Sequence, residues 1–207
     1  MYKLYARKGA GSLAVEAMLA LCGAPHHVED LPRDADGSFP EFFRRLNPRA
    51  EVPTLMLPDG SIMTESAAIM ILLGDVFPEA GLAPLVTSPQ RPRYLRWMVY
   101  LATTVYMSDL RFYYPARYTT DPSAAAGIKA QAGEGMAKEL AVYAEALGQG
   151  PFLLGPEICA VDIYATMLVS WAPDMEALFA ANPKLGAMYE KVIAHPVISA
   201  VWKRNEI

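Results

Sequence analysis

The first part of the chain alternates short apolar runs with stretches of helical periodicity. The runs predict strands over Tyr2 to Ala6, His27 to Leu31, Thr54 to Leu57 and Ser61 to Met63. Helical spacing predicts helices over Leu13 to Cys22 and Phe39 to Leu46, and a third helix that opens at Thr64-Glu65-Ser66 and carries Ile69, Leu72, Leu73 and Val76 on one face. The resulting order is strand, helix, strand, helix, strand, strand, helix. This order predicts a mixed α/β sheet with helices on its faces.

The pattern changes between Pro78 and Pro89, where prolines and Gly81 cluster in a linker-like stretch. No alternating strand follows it. Helical patterns cover Arg91 to Tyr114, Ser123 to Leu147, Val161 to Trp171, Pro183 to Ala194 and Pro196 to Lys203. We therefore predict an α/β domain over residues 1–78, a linker over 79–89 and an all-α domain over 90–207.

The stretch from Asn47 to Leu72 also holds local signals for binding. Pro53 precedes a strand, where it cannot donate a ladder hydrogen bond, so the main chain of Val52 is free to pair with an extended peptide. Glu65 and Ser66 lie at a helix start, whose free N–H groups attract a carboxylate. The alternative is a strand-leading proline and an ordinary helix cap.

Composition narrows the class of protein. The chain has 207 residues, of which 53% are hydrophobic and 19% charged, and this balance predicts a folded protein. A net charge of −4 argues against nucleic acid or an acidic membrane surface as the main partner. The distant cysteines Cys22 and Cys159 favour a reducing, cytoplasmic location, and the histidines show no metal-ligand spacing. No apolar run is long enough to predict a membrane span.

Four motifs carry a family resemblance. Asn47-Pro48, Val52-Pro53, Asp59-Gly60 and Thr64-Glu65-Ser66, in this order and spacing, resemble the glutathione-binding half of the cytosolic glutathione transferases. The resemblance covers nearly the whole chain and implies the GST fold, a thioredoxin-like N-terminal domain followed by an all-α helical bundle. It also implies a cis peptide at Pro53, glutathione paired with the Val52 main chain, a γ-glutamyl carboxylate held by Glu65 and Ser66, and Arg33 as a basic contact.

The loop from Lys8 to Ala14 resembles that of the bacterial beta class, with Gly11 where the class has its cysteine. A mixed disulfide with glutathione is therefore excluded at Gly11, and a hydroxyl becomes the expected donor to the glutathione sulfur. Ser12, which the pattern places as the N-cap of the first helix, is the preferred donor, and Tyr5 at the end of the first strand is the competing one. Main-chain N–H groups of Ala10 to Leu13 are a third source of stabilisation.

Candidate residues for the electrophile pocket lie in the helical part. Tyr106-Met107 replaces a His-Lys pair of the beta class, and Trp171 matches a tryptophan of that class which borders the pocket. Arg111 and Tyr113 belong to the same aromatic stripe, for which a core or interface role is the alternative. Cys159 and Asp162 form a capping-box pattern at the start of a buried helix, and we expect that site to be structural.

Together these features predict a glutathione transferase that conjugates glutathione, its co-substrate, to small hydrophobic electrophiles. A cytoplasmic homodimer and a role in detoxification are implied by the resemblance. Two alternatives stay open: a glutathione-dependent peroxidase or dehalogenase, and a glutathione-binding or ligand-carrying protein without turnover.

Overall fold

A four-stranded mixed sheet forms the centre of the first part of the chain. In the computed structural model, which describes Met1 to Ile207, the strands are β1 (Tyr2–Ala6), β2 (His26–Asp30), β3 (Thr54–Met56) and β4 (Ile62–Met63). Their order is β2-β1-β3-β4. β1 pairs parallel to β2 and antiparallel to β3, and β4 is antiparallel to β3. The predicted mixed sheet is confirmed, with β1 as predicted and the ends of the other strands shifted by at most one residue.

Three helices accompany this sheet: α1 (Ser12–Leu21), α2 (Glu41–Leu46) and α3 (Ser66–Val76). The first eight residues of α1 are all buried, as expected of a helix that is apolar almost all round. In α3 the buried residues are Ile69, Met70, Leu73 and Gly74. The prediction that Val76 shares this face is wrong, because the buried stripe follows Ile69, Met70 and Leu73 and leaves Val76 48% exposed.

The second part is entirely helical. Its helices are α4 (Arg91–Tyr100), α5 (Tyr106–Tyr113), α6 (Ala125–Ala146), α7 (Ala160–Val169), α8 (Met175–Ala181), α9 (Pro183–Ile193) and α10 (Pro196–Arg204). A π-helical turn, Leu101–Val105, joins α4 to α5, so the long predicted helix is continuous but locally widened. The sequence pattern missed α8, which is only 7 residues long.

Two compact units divide the chain. Met1–Leu85 and Ile193–Ile207 form unit 1, and Val86–Val192 forms unit 2. The C-terminal helix α10 thus packs with the sheet unit, where it contacts α1. The predicted domain boundaries stay a prediction.

A buried ionic cluster fastens α10 inside unit 1. Glu16 on α1 is only 4% exposed. The Arg204 guanidinium binds both Glu16 oxygens, with Nη2 at 2.5 Å from Oε2, and Asn205 Nδ2 donates to the same Oε2 at 3.0 Å. Arg204 also meets Asp30 Oδ2 at 2.7 Å. These carboxylates raise the pKa of Arg204 above its ordinary value.

The buried helix α7 is fixed by its own first turn. Asp162 Oδ2 accepts from the Cys159 main-chain N–H at 2.9 Å and from the Cys159 thiol at 3.0 Å. Asp162 Oδ1 accepts from Leu153 N at 2.9 Å and from the Tyr143 hydroxyl at 3.0 Å. The predicted capping box is therefore present and joins α7 to α6 and to the loop before it. Burial raises the pKa of Asp162, and the four hydrogen bonds oppose that shift.

Candidate functional site

Strand register gathers four loop ends at one edge of the sheet in unit 1. Ala6, which ends β1, pairs with Asp30, which ends the parallel strand β2. Tyr5 pairs with Thr54, the first residue of the antiparallel strand β3. β4 runs back along β3 and ends at Met63, opposite Leu55. The start of α1, the Val52-Pro53 peptide, the start of α3 and the loop after β2 therefore leave the same end of the sheet.

Ser12 does not cap α1. Gly11 is the N-cap, with helical φ and ψ of −59° and −8°, and the helix begins at Ser12 itself. The Ser12 hydroxyl accepts from the Arg7 N–H at 3.1 Å and donates to the Arg7 carbonyl at 3.0 Å. The predicted cap is wrong because this fully buried hydroxyl closes the loop from residue 7 to residue 12 instead. Its proton is engaged by the Arg7 carbonyl.

Main-chain donors remain at the same helix start. Ala10 N donates to the Arg7 carbonyl at 3.2 Å, and Leu13 N donates to the Ala10 carbonyl at 3.0 Å. The N–H groups of Gly11 and Ser12 have no hydrogen-bond partner within the chain. A helix N-terminus with unpaired N–H groups favours an anion, because these groups and the helix dipole carry partial positive charge. The loop can therefore stabilise a thiolate without using a side chain.

Tyr5, the competing donor, is built into an aromatic core. Its side chain is 4% exposed and packs in a buried cluster with Leu31, Phe39 and Phe43. The ring centroids of Tyr5 and Phe43 are 5.7 Å apart, and Lys3 Nζ lies 4.9 Å from the Tyr5 ring centroid. These contacts are those of an aromatic residue on the buried face of a strand.

The Val52-Pro53 peptide bond is cis, as the resemblance implied. A small network fixes the loop before it: Asn47 Nδ2 donates to the Glu51 carbonyl at 3.0 Å and to Thr54 Oγ1 at 2.9 Å, and Thr54 Oγ1 donates to the Glu51 carbonyl at 2.9 Å. The N–H and C=O groups of Val52 make no hydrogen bond within the chain. They form a short stretch of unpaired backbone that an extended peptide can complete.

Asn47 and Thr54 are positioning residues that the sequence pattern did not assign. Asn47 is part of the Asn47-Pro48 motif, but only the fold shows that its amide holds the backbone on both sides of Val52-Pro53.

Glu65 and Ser66 stand at the start of α3. Glu65 has φ of 66° and ψ of 101°, a backbone conformation that costs a non-glycine residue about 1–3 kcal/mol. Its carbonyl accepts from Ile69 N at 2.9 Å, whereas its exposed side chain makes no capping hydrogen bond. Strained non-glycine backbone of this kind clusters at binding sites. The side chain of Glu65 is thus exposed at a helix N-terminus.

Arg33 follows β2 on the same sheet edge, but its guanidinium is engaged within its own loop. Nη1 donates to the Gly37 carbonyl at 2.9 Å, and Cζ lies 3.6 Å from the centroid of the Phe39 ring. The structure therefore gives Arg33 a role in shaping this loop. A contact with glutathione stays a prediction.

In unit 2 the structure brings three of the four predicted pocket residues together. Tyr106 and Trp171 meet edge to face, with ring centroids 5.6 Å apart. The Tyr113 hydroxyl donates to the Trp171 carbonyl at 2.7 Å. Tyr106 also stacks on Tyr164 of α7, with 6.4 Å between ring centroids. The face of α5 that carries Tyr106 and Tyr113 thus lies against Trp171.

Arg111 is directed elsewhere. Its Cζ lies 5.5 Å from the Tyr118 ring centroid, and it lines an open cleft of about 430 Å³ between α5 and α6 with Ser108 and Glu139. Arg111 is therefore not part of the cluster formed by Tyr106, Tyr113 and Trp171.

One residue on the same face of α5 was missed by the sequence reasoning. Asp109 is 5% exposed and follows Tyr106 by three residues, which is one helical turn. Burial raises the pKa of Asp109 to about 7. The spacing of Tyr106, Asp109 and Tyr113 could have indicated it, but a single aspartate among aromatics is usually read as solvent-exposed.

No group of three or more His, Cys, Asp or Glu side chains is placed to hold a metal ion. No helix combines the length and apolar character needed to cross a membrane.

Similarity to known proteins agrees with this geometry. Residues 12–76 match the family described as glutathione S-transferase, N-terminal domain. The uncharacterized GST-like protein YncG of Escherichia coli strain K12 is 33% identical over 209 residues, covering all of both chains. The chain belongs to the glutathione S-transferase family.

Solved structures extend the likeness. A glutathione transferase homologue from Sulfitobacter with bound glutathione has a TM-score of 0.89 and 25% identity, and the match covers 100% of this chain and 99% of that one. A bacterial beta class glutathione S-transferase from Sphingomonas chungbukensis has a TM-score of 0.82 and 25% identity over 98% of both chains. The GST fold and the likeness to the bacterial beta class that the sequence predicted are thus confirmed.

Proposed function

We propose that this protein is a glutathione transferase that binds glutathione at the sheet edge of unit 1 and conjugates it to small hydrophobic electrophiles. The observation that carries the proposal is the convergence of three elements at that edge, two of which present unpaired main-chain groups. They are the Val52 main chain, the start of α1 with the free N–H groups of Gly11 and Ser12, and the start of α3 with Glu65 and Ser66.

Each element suits one part of the tripeptide. The N–H and C=O of Val52 match the main chain of the cysteinyl residue, because two extended segments can exchange both hydrogen bonds. The N-terminus of α3 suits the γ-glutamyl carboxylate, and the exposed carboxylate of Glu65 suits the γ-glutamyl ammonium group. The cysteinyl sulfur is then assigned to the start of α1.

The free energy needed to ionise the glutathione thiol can be compared with the stabilisation available at the start of α1. A free thiol has a pKa of about 8.5, and lowering it by roughly two units takes about 2.7 kcal/mol of preferential thiolate stabilisation. A partly buried helix N-terminus contributes up to about 2 kcal/mol. One hydrogen bond to a charged group adds about 1.5–3 kcal/mol. The free N–H groups of Gly11 and Ser12 can provide both, whereas the Ser12 hydroxyl must first release the Arg7 carbonyl.

The test separates binding, activation and turnover. Glutathione affinity is measured by calorimetry, the bound thiolate by its ultraviolet absorbance against pH, and turnover with 1-chloro-2,4-dinitrobenzene. We expect micromolar to millimolar binding and a thiol pKa lowered by about two units, which the combined helix and N–H contributions can supply. Wild type is compared with Ser12→Ala and Tyr5→Phe, and Ser61→Ala, on the exposed β3–β4 turn, is the matched serine control.

The variants assign the donor. Retained thiolate in Ser12→Ala and Tyr5→Phe supports the main-chain N–H groups. Its loss in Ser12→Ala alone restores the hydroxyl of Ser12, and its loss in Tyr5→Phe alone assigns Tyr5. Absence of glutathione binding in wild type would contradict the proposal as a whole.

A carrier without turnover is the second candidate, and one observation favours it. Gly11 stands where the beta class has cysteine, and the proton of the neighbouring Ser12 hydroxyl is held by Arg7. Binding with an unshifted thiol pKa and no conjugation would support this candidate. A cytoplasmic homodimer and a role in detoxification remain proposals. Sedimentation velocity tests the homodimer directly.

A further inference from the structure

A cleft of about 430 Å³ lies between α5 and α6, within unit 2. Its lining includes Ser108 and Arg111 of α5 and Ile128, Ala132 and Glu139 of α6. It is separate from the aromatic cluster that α5 forms elsewhere on its surface. The cleft thus combines a cation, a carboxyl group and apolar surface in a cavity of the size that small ligands occupy.

The half-buried carboxyl group of Glu139 is incompletely paired. Oε1 accepts one hydrogen bond, from Ser108 Oγ at 3.0 Å, and Oε2 is buried without a partner. A carboxylate can accept about four hydrogen bonds, so most of this capacity is unused. Burial raises the pKa of Glu139, and the Ser108 hydrogen bond and the Arg111 charge oppose that shift. A positively charged donor placed beside Oε1 would therefore stabilise the carboxylate form further.

Arg111 shares the cleft with Glu139 but is not paired with it. The two side chains form no ion pair, and the Arg111 guanidinium makes no hydrogen bond within the chain. Its Cζ lies 5.5 Å from the centroid of the Tyr118 ring, and its charge lowers the pKa of Glu139. The five N–H donors of the guanidinium are thus available, in the fork geometry that matches a carboxylate.

Glycines of α6 shape the wall of this cleft. A Cβ at Gly133 would lie 3.3 Å from the Phe112 ring, and a Cβ at Gly135 would lie 3.6 Å from Ser108 Oγ. Close packing of α6 on α5 explains these two glycines. Gly127 also lines the cleft, but no atom lies within 4 Å of the position that its Cβ would take. Packing within the chain therefore does not account for the missing side chain at Gly127, whereas a ligand in the cleft would.

We propose that the cleft between α5 and α6 binds a free α-amino acid with an aliphatic side chain. The ammonium group binds the Glu139 carboxylate, the α-carboxylate binds the Arg111 guanidinium, and the side chain lies on Ile128 and Ala132. A simple anion would be repelled by Glu139 and a simple cation by Arg111, whereas a zwitterion satisfies both charges. The site lies wholly within unit 2 and needs no group of unit 1.

The experiment compares three ligands that differ only in charge, by calorimetry and by NMR of the whole protein. L-Leucine carries both charged groups, 3-methylbutan-1-amine lacks the carboxylate, and 4-methylpentanoate lacks the ammonium group. We expect leucine to bind about tenfold more tightly than either analogue, because each analogue loses one charged hydrogen bond. The main-chain signals of Gly127 and Ala132 should shift on binding. No binding of leucine, or equal affinity for all three ligands, would overturn the proposal.

Variants on both helices test each contact. Arg111→Gln and Glu139→Gln should each weaken leucine binding about tenfold. In Glu139→Gln, 4-methylpentanoate should bind at least as tightly as in wild type, because the repelling charge is gone. Glu134→Gln, which breaks an exposed pair with Lys138 on the same helix, is the matched control and should follow wild type. Wild-type leucine affinity in both Arg111→Gln and Glu139→Gln would contradict the site.

Filling the cleft gives a test that leaves both charges in place. Gly127→Leu adds a side chain at the wall of the cleft and should abolish leucine binding. Ala130→Leu adds the same side chain at an exposed position of α6 that does not line the cleft, and should bind leucine as wild type does. Circular dichroism checks that both variants are folded. Equal leucine affinity in the two variants would place the amino acid elsewhere and overturn the proposal.

A last measurement needs no variant. The carboxyl ¹³C signal of Glu139 is titrated with and without leucine, and we expect leucine to lower the apparent pKa of Glu139, since its ammonium group favours the carboxylate form. An unchanged titration at saturating leucine would contradict the contact. Glutathione carries the same head group on its γ-glutamyl residue and is titrated in parallel. If glutathione shifts the Gly127 signal at lower concentration than leucine does, the assignment to a free amino acid is wrong.

Discussion

Glu16 and Asp109 are carboxylic acids of almost equal burial that lie in different units of the chain and meet opposite surroundings. Glu16 is 4% exposed and is bound by Arg204 and Asn205, whereas Asp109 is 5% exposed and has no partner. A buried charge is tolerated when it is paired, and otherwise the group shifts its pKa and becomes neutral. The paired acid therefore fastens a fold, and the unpaired acid is expected to be largely neutral below its raised pKa of about 7.

Asp162 shows a third way in which a buried carboxylic acid is accommodated. It is fully buried, has no cation beside it and accepts four hydrogen bonds instead. Main-chain N–H, hydroxyl and thiol donors take the place of the water molecules that would solvate the Asp162 carboxylate at the surface. The three acids thus predict different responses to substitution, which we order from the largest expected effect to the smallest.

Asp162→Ala should have the largest effect, a loss of about 4 kcal/mol in the free energy of unfolding, because it leaves the buried Tyr143 hydroxyl and two N–H groups without acceptors. Urea unfolding monitored by circular dichroism measures it. The control is Asp174→Ala, which removes the exposed N-cap of α8 and should cost about 1 kcal/mol. Equal losses in both variants would mean that the Asp162 bonds add nothing beyond an ordinary cap.

Arg204→Met should cost about 3 kcal/mol, because it leaves Glu16 buried without its cation. The estimate is below that for a fully buried pair, since the Arg204 side chain is 34% exposed. Arg45→Met breaks the exposed Arg45–Glu41 pair and serves as the control, with a loss below about 0.5 kcal/mol. Similar small losses in both variants would show that pairing with Arg204 does not stabilise the buried Glu16 carboxylate, and the contrast with the unpaired Asp109 would then have no energetic basis.

Asp109→Asn should act in the opposite direction and stabilise the protein by about 2 kcal/mol at pH 8. Burial raises the pKa of Asp109 from 3.8 to about 7 in the folded protein. The free energy of unfolding is therefore highest below pH 3.8, where Asp109 is protonated in both states, and it falls as pH rises toward 7. The variant removes this loss above pH 7 and should match wild type near pH 4. Urea unfolding across this pH range measures the difference, and a pH-independent difference would show that Asp109 does not titrate in this window.

Cys159→Ser should have the smallest effect, within about 1 kcal/mol, because a hydroxyl can replace the thiol in both directions of the α7 capping box. The shift in Tm by calorimetry measures it. Cys22→Ser, at a half-buried cysteine outside any capping box, is the matched control. A large loss in Cys159→Ser alone would show that the size of sulfur, and not its hydrogen bonds, is what α7 requires.

The features predicted correctly from the sequence are those set by neighbouring residues. Strand β1 was predicted with both ends correct, and the capping box of Cys159 and Asp162 was recognised from a spacing of three residues. The Val52-Pro53 peptide bond is cis, as the resemblance implied, and α3 begins at Glu65-Ser66, as the pattern predicted. Backbone conformation and hydrogen bonding within one turn depend on local sequence, so these signals survive without knowledge of the fold.

Predictions that needed a distant partner were less successful. Ser12 was assigned as a cap, but the Arg7 main chain takes its hydroxyl, and Arg111 was placed with Trp171 but faces the cleft between α5 and α6. The sequence does not identify Asp109, because what distinguishes this residue is a buried carboxyl oxygen without a hydrogen-bond partner in the folded chain. Whether a polar side chain finds a partner depends on every element that packs around it.

The sequence by itself determined the order of strands and helices, with the strands in the first part of the chain and helices alone after them, and the motifs that carry the family resemblance. The tertiary structure alone decided which buried acid is paired, which donors at α1 stay free and which aromatic residues meet Trp171. The physical reason is one of range. Periodicity, proline and capping act within a few residues, whereas desolvation and charge pairing depend on groups brought together from far along the chain, as Arg204 is brought to Glu16.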